Sequence, residues 1–222
     1  MAPKLGSAGV MLRWVKAPCP ALPFLRPVSE RVLIINGHPD PGPGRLCAAI
    51  AEAYGQGAVG AGRRVRRIDV GALEFPLIRS AGAFEAEEPP PPIAEAQALI
   101  HWADHLVMVH PLWHGGPPAL LKGFLEQAFR YGFAIPRPEG SGGLGGLLKG
   151  RSARIIVTMG MPALAYRAIF GAFGVRAIER SVLWMSGIHP IRRTLLGGVG
   201  QADVARCTAW LSAVRAMGAR GV

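Results

Sequence analysis

The sequence predicts a three-layer α/β domain, doubly wound around a five-stranded parallel sheet. Short unbroken apolar runs recur along the chain, as at residues 32–35 and 106–109, and strands buried on both faces read this way. Between them lie stretches with helical spacing, such as Leu121, Phe124, Leu125, Ala128 and Phe129, the pattern of an amphipathic helix. The chain has 222 residues, 50% of them hydrophobic, which suffices for one sizeable core.

The elements follow in alternation. Residues 32–35 form the first strand, 37–44 a loop, and a helix then carries Leu46, Ala49, Ile50, Ala53 and Tyr54 on one face. Residues 65–70, with Gly62 before and Gly71 after, read as the second strand. A long irregular stretch, 72–92, follows, and its proline run stops any regular element. Helix returns over 93–103, and 106–109 is the third strand. A helix over 117–129 precedes a glycine-rich surface loop at 140–150. The fourth strand is 153–158, with helices at 163–172 and 178–184. The fifth strand is 191–196, and 202–217 is the closing helix. Residues 1–28 stand apart: Lys4, Arg13, Lys16 and Arg26 occur with no acid before Glu30, among five prolines. That is a disordered extension, or sequence upstream of a start at Met11, and the folded domain is expected over 29–222.

Composition narrows the function. No window approaches about 20 consecutive apolar residues, the length needed to span a membrane. The balance of 25 Lys+Arg against 14 Asp+Glu gives a net charge of +11, which favours anionic partners such as nucleotides and phosphates. The arginines are scattered and lack an aromatic stacking pattern, which argues against a nucleic-acid footprint. Cys19, Cys47 and Cys207 form no paired framework, as befits a reducing cytoplasm. There is no G-x-S-x-G nucleophile elbow. His101/His105 and His110/His114 have four-residue spacing but no clustered Cys, Asp or Glu, so no metal is expected.

Three loops carry the chemistry, all at carboxyl ends of strands, where doubly wound sheets bind ligands. The first, NGHPDPGPGRL, leads into a helix whose N-terminal N–H groups attract phosphate. There Gly42 and Gly44 allow close approach, and Arg45 adds charge before Leu46. It is neither a G-x-G-x-x-G fingerprint nor a Walker loop. The second, HPLWHGGPP, places Trp113 and His114 among Pro111, Leu112, Gly115, Gly116 and Pro118, a suitable wall for a flat ring. The third, TMGMPALAY, offers the Thr158 hydroxyl, backbone donors at Met159, Gly160 and Met161, and Tyr166 at the following helix. A planar ring that becomes anionic on reduction needs such donors at its edge.

These blocks resemble the flavodoxin-like NAD(P)H:quinone oxidoreductases, the group of DT-diaphorase, modulators of drug activity and potassium-efflux ancillary flavoproteins. The resemblance spans about residues 31–217: VLIINGHPDP, WADHLVMVHPLWHGGPPALLKGFLEQAFRYGFAI, LLKGRSARIIVTMGMPALAY and SGIHPIRRTLLGG. It implies a bound flavin, FAD or alternatively FMN, reduced by NAD(P)H and reoxidised by a quinone-like acceptor in ping-pong fashion. It places His38, Gly44, Arg45 and Leu46 by the flavin phosphate, and Pro111, Leu112, Trp113, His114 and Gly115 along the ring. Thr158, Met159, Gly160 and Met161 would donate to the polar edge. Tyr166 and His114 are the candidate catalytic side chains, and Lys122 would be structural. The resemblance also implies a homodimer. An alternative role is regulatory, docked on a membrane transporter such as a potassium efflux system. A plain electron carrier is disfavoured by the basic charge. The chain departs from the family at Pro43-Gly44-Arg45, where a serine and an aromatic are usual. It departs again at His114-Gly115, which stands for Trp-Phe, and at 167–172, which lacks a histidine.

Overall fold

The computed structural model describes residues 29–85, 88–137 and 145–222. Five strands, β1 (Arg31–Asn36), β2 (Arg64–Asp69), β3 (His105–Pro111), β4 (Ser152–Met159) and β5 (Ile191–Gly197), form one sheet in the order β2-β1-β3-β4-β5. Every pairing is parallel. The chain leaves β1 for β2 on one side and later returns to place β3 on the other, so a crevice opens between β1 and β3. The expected three-layer architecture is what forms.

Side-chain alternation along the strands divides the core in two. Leu33, Ile35, Leu106, Met108, Ile155 and Val157 face one helical layer. That layer contains α3 (Pro91–Trp102) and α4 (Ala119–Ala128). Val32, Ile34, Val107, Val109 and Ile156 face α1 (Leu46–Gly60) and α7 (Val204–Arg220). Those two helices meet through glycines: a methyl group at Gly57 would overlap the Arg215 carbonyl, and one at Gly218 the Tyr54 carbonyl. The backbones touch where no side chain intervenes.

Several elements differ from expectation. The proline run does not exclude structure, because Pro91 and Pro92 open α3; the first turn of a helix needs no N–H donor and tolerates proline. A short helix, α2 (Ala81–Glu85), interrupts the stretch expected to be irregular. Strands β2 and β5 are not buried on both faces: β2 alternates exposed arginines with partly covered residues, as edge strands do. Helix α5 (Ala163–Ala168) ends short of the expected 172. Helix α6 (Phe173–Ala177) then runs into a π-helical segment, Ile178–Trp184. The extension 1–28 and part of the 140–150 loop lie outside the described residues.

Candidate functional site

Strands β1, β3 and β4 are neighbours, so the loops following them share one edge of the sheet. Backbone hydrogen bonds fasten them: Gly37 donates to the Val109 carbonyl at 2.7 Å, and Leu112 to that of Thr158 at 2.8 Å. Side chains add cross-links. The His38 and Trp113 rings meet edge to face at 6.0 Å. Cys47 Sγ lies 3.4 Å from Thr158 Oγ1, and burial pushes the Cys47 thiol up to about 11, so it is a neutral packing group.

The loop after β1 is built around Asp40. Its carboxylate accepts from the Gly42 N–H at 2.8 Å and from Arg45 Nε at 2.7 Å. The Gly42 N–H first, then Arg45, hold the carboxyl below its usual range. His38 Nδ1 sits 3.0 Å from the Asp40 N–H. Arg45 is the N-cap of α1, yet no side chain caps that helix and its first turn holds no acid. The positive end of α1 is therefore open to an anion, with the Arg45 guanidinium beside it on Asp40.

The loop after β3 is a two-residue hairpin. Trp113 and Gly116 exchange both backbone hydrogen bonds, at 2.9 and 3.0 Å. His114 (φ 47°) and Gly115 (φ 79°) occupy its tip with positive φ, as type I′ turns require. A non-glycine residue there stores backbone strain of about 1 kcal/mol. The tip projects outward: His114 is exposed and Trp113 is 49% exposed. His110, just before it, is fully buried. Its Nδ1 lies on the Pro111 carbonyl at 2.8 Å, and burial lowers its pKa to about 4.

The third loop corrects two expectations. Thr158 and Met159 belong to β4 and are buried. The Thr158 hydroxyl meets Cys47, and its carbonyl accepts from Leu112. Gly160 and Met161 lie beyond the strand and are the more accessible pair. Tyr166 is fully buried, and its hydroxyl donates to the Gly115 carbonyl at 2.9 Å. Burial raises its pKa, opposed by the Val175 and Gly174 N–H groups, so it stays protonated and able to donate. The residue expected to face a ligand instead ties α5 to the hairpin tip, with the N–H groups of α6 on its hydroxyl. Gly174 completes this junction, since a side chain there would strike Gly115 and Gly116. Nothing in the sequence pattern singles out Gly174, because close backbone approach leaves no periodic trace.

The fit of a flat, phosphorylated cofactor rests on what surrounds these loops. Gly44, Gly115, Gly116 and Gly160, spread over all three, each face open space where a side chain would stand. A half-exposed indole and an uncapped helix end border the same edge. The residues present fit a flavin. Beside the hairpin opens an apolar cleft of about 650 Å³, lined by Trp113, His114, Pro118, Leu125, Phe129 and Ile178. The Lys122–Glu126 ion pair stands on α4 at this cleft. A larger cavity, about 710 Å³, lies at the opposite, amino end of the sheet and touches none of these loops.

Comparison with known proteins agrees with the fold. A family model described as the flavodoxin-like fold matches residues 30–216. An NAD(P)H oxidoreductase of Haemophilus influenzae is 30% identical over 138 residues, 55% of this chain and 67% of that protein. The glutathione-regulated potassium-efflux system ancillary protein KefG of Salmonella paratyphi B is 41% identical over 71 residues, 32% of this chain and 36% of KefG. The chain thus spans about two thirds of the first relative and about a third of the second. Among solved structures, the NAD(P)H:quinone oxidoreductase of Methanothermobacter marburgensis superposes with a TM-score of 0.72 at 23% identity, covering 86% of this chain and 96% of that one. The FMN-dependent NADH-azoreductase of Bacillus anthracis, in complex with FMN, gives 0.68 at 18% identity, covering 86% and 98%. At these identities the two structures speak for the fold.

Proposed function

The chain belongs to the family of the flavodoxin-like fold, and from that premise we propose that it is a flavin-dependent NAD(P)H dehydrogenase acting on a quinone-like acceptor. One observation carries the reading. Three loops at adjacent strand ends combine an uncapped helix terminus, a half-exposed indole and four glycines with open space beside them. A ring with a phosphate tail matches that combination of flat and anion-attracting surface. FMN is the favoured flavin, because the FMN-complexed azoreductase shares the fold; FAD is the alternative.

A flavin held there would supply the redox chemistry, hydride acceptance from NAD(P)H and two-electron delivery to the acceptor. The open α1 terminus would hold the phosphate, with His38 and the Asp40-paired Arg45 beside it. Trp113 and the hairpin backbone would cover one face of the ring and exclude water there. The N–H groups of Gly160 and Met161, beyond the end of β4, would supply donors to the polar edge, where preorganised dipoles stabilise negative charge. Tyr166 acts as a positioning residue by fixing Gly115. His114, on the exposed tip, lines the apolar cleft and would meet an acceptor bound there. Leu164, Ile169, Phe170, Phe173 and Trp184 are exposed along α5, α6 and the π-helical segment, an apolar surface suited to a homodimer. Reconstitution tests the reading: the protein retains FMN or FAD through gel filtration and is yellow, whereas a protein that stays colourless contradicts it.

A second reading, a flavoprotein subunit docked on a transporter, is favoured by the 71-residue match to KefG. Co-purification with a potassium-efflux transporter would support it, and migration as a lone species beside that transporter would oppose it.

A further inference from the structure

The turn after β2 lies outside the three loops, yet it is fastened to the first of them at two points. Asn36 and Asp69 are register partners, the last residues of β1 and β2. Asn36 is fully buried, so both ends of its amide need partners. A carboxylate only accepts, and Asn36 Nδ2 donates to Asp69 Oδ1 at 2.8 Å. That leaves Asn36 Oδ1 for the loop, where it accepts from the His38 N–H at 3.4 Å. Asp69 is held in turn by Arg67, whose Nε and Nη2 donate to the same oxygen at 3.0 and 2.6 Å.

The second point is backbone on backbone. A methyl group at Gly71 would overlap the Pro39 carbonyl and press on that of His38. Gly71 stands in a 3₁₀ turn, Val70–Ala72, with Asp69 as its N-cap. The His38-Pro39 stretch is thus fixed by Asn36 and by Gly71 together. Further contacts carry this order to the helix. His38 Nδ1 meets the Asp40 N–H at 3.0 Å, and the Asp40 carboxylate accepts from the Gly42 N–H at 2.8 Å. The Arg45 N–H closes on the Gly42 carbonyl at 3.3 Å, one residue before α1 begins. From 36 to 45, every second or third residue is tied.

We propose that Asn36, Asp69 and Gly71 are positioning residues for the flavin phosphate: they order the loop that leads into the α1 terminus and touch no ligand themselves. A loop already ordered loses less freedom when an anion binds. The inference rests on the flavin reading for the identity of the anion, and on the loop contacts alone for the ordering.

The test compares FMN with riboflavin, which lacks the phosphate, by fluorescence titration of the full chain. The readout is the ratio of the riboflavin to the FMN dissociation constant; a general loosening of the fold weakens both ligands and leaves the ratio in place. Asp69→Ala, Asn36→Leu and Gly71→Ala should each lower the ratio about tenfold, the scale of one hydrogen bond to a charged group. Asp69→Asn keeps an acceptor for Asn36 and should retain the wild-type ratio. So should Gly218→Ala, which strains the helical layer instead. Amide exchange in flavin-free protein reads the ordering itself: the N–H groups of His38, Asp40 and Gly42 should exchange faster in Asp69→Ala than in wild type. An unchanged ratio in Asp69→Ala and Asn36→Leu, whatever their melting temperatures, would overturn the proposal. So would an Asp69→Asn variant as impaired as Asp69→Ala. Wild type that binds neither flavin would refute the flavin reading and the phosphate role with it, whereas unchanged exchange of the three amides would refute the positioning alone.

Discussion

The hydroxyl of Tyr166 donates to the carbonyl of Gly115 across 2.9 Å, joining helix α5 to the tip of a hairpin 51 residues earlier in the chain. The hairpin is held as well by its own turn, by packing on Gly174 and by the edge-to-face contact of Trp113 with His38. Tyr166→Phe keeps the ring and removes the bond, at a cost of about 1 kcal/mol in unfolding free energy. Flavin affinity should fall with it while the pH profile of turnover stays unchanged, because the hydroxyl positions the loop and moves no proton. Denaturant unfolding and fluorescence titration with FMN measure the two effects. A turnover profile that loses a limb would assign the hydroxyl a chemical role instead.

Gly115 sits at φ 79°, where a side chain is strained. Gly115→Ala should destabilise the fold by about 1 kcal/mol and loosen flavin binding. Trp113→Ala removes the exposed ring without touching the turn. It should leave the melting temperature nearly unchanged and weaken flavin binding about tenfold, the upper range for an aromatic stacking pair. Comparing the two variants by calorimetry and flavin titration separates the shape of the loop from the surface it presents.

Helices α1 and α7 touch through backbone at Gly57 and Gly218. Gly218→Ala should cost about 1–3 kcal/mol through overpacking, with flavin affinity retained, because the contact lies in the helical layer rather than at the loops. Urea unfolding of the variant, alongside a flavin titration, checks both halves.

His105 and His110 are buried, and burial lowers each pKa to about 4. In the unfolded chain both titrate near 6.5, so between about pH 6.5 and 4 the unfolded state binds more protons than the native one. Stability is then complete above pH 6.5 and falls as the pH drops towards 4, with a slope approaching two protons. His110→Leu should remove one proton from that slope. Unfolding free energies measured from pH 7 to pH 4.5 decide this, and an unchanged slope would contradict the burial of His110.

The five strands and their order in the chain were legible because apolar runs and helical spacing are local signals. The three loops were legible by position, since each follows a recognised strand. Other features depend on what lies across from a residue. Exposure of β2 follows from its place at the sheet edge, which no pattern within RVRRID encodes. The start of α3 at Pro91 depended on reading proline as an opener rather than a breaker. The sequence places Tyr166 in the third loop but leaves the direction of its hydroxyl open, because Gly115 and Gly174 meet it only in three dimensions. Arg45 was expected to offer its charge to a phosphate. Its ion pair with Asp40, five residues away, shows that charge already engaged within the loop.

Anaerobic reduction tests the central claim most directly. Protein loaded with FMN is titrated with NADH and with NADPH, and a quinone is then added to the bleached protein. One equivalent of reduced nicotinamide should abolish the flavin absorption near-stoichiometrically, and one equivalent of quinone should restore it. Flavin that stays oxidised under both nicotinamides, or a protein that retains no flavin to bleach, would contradict the account.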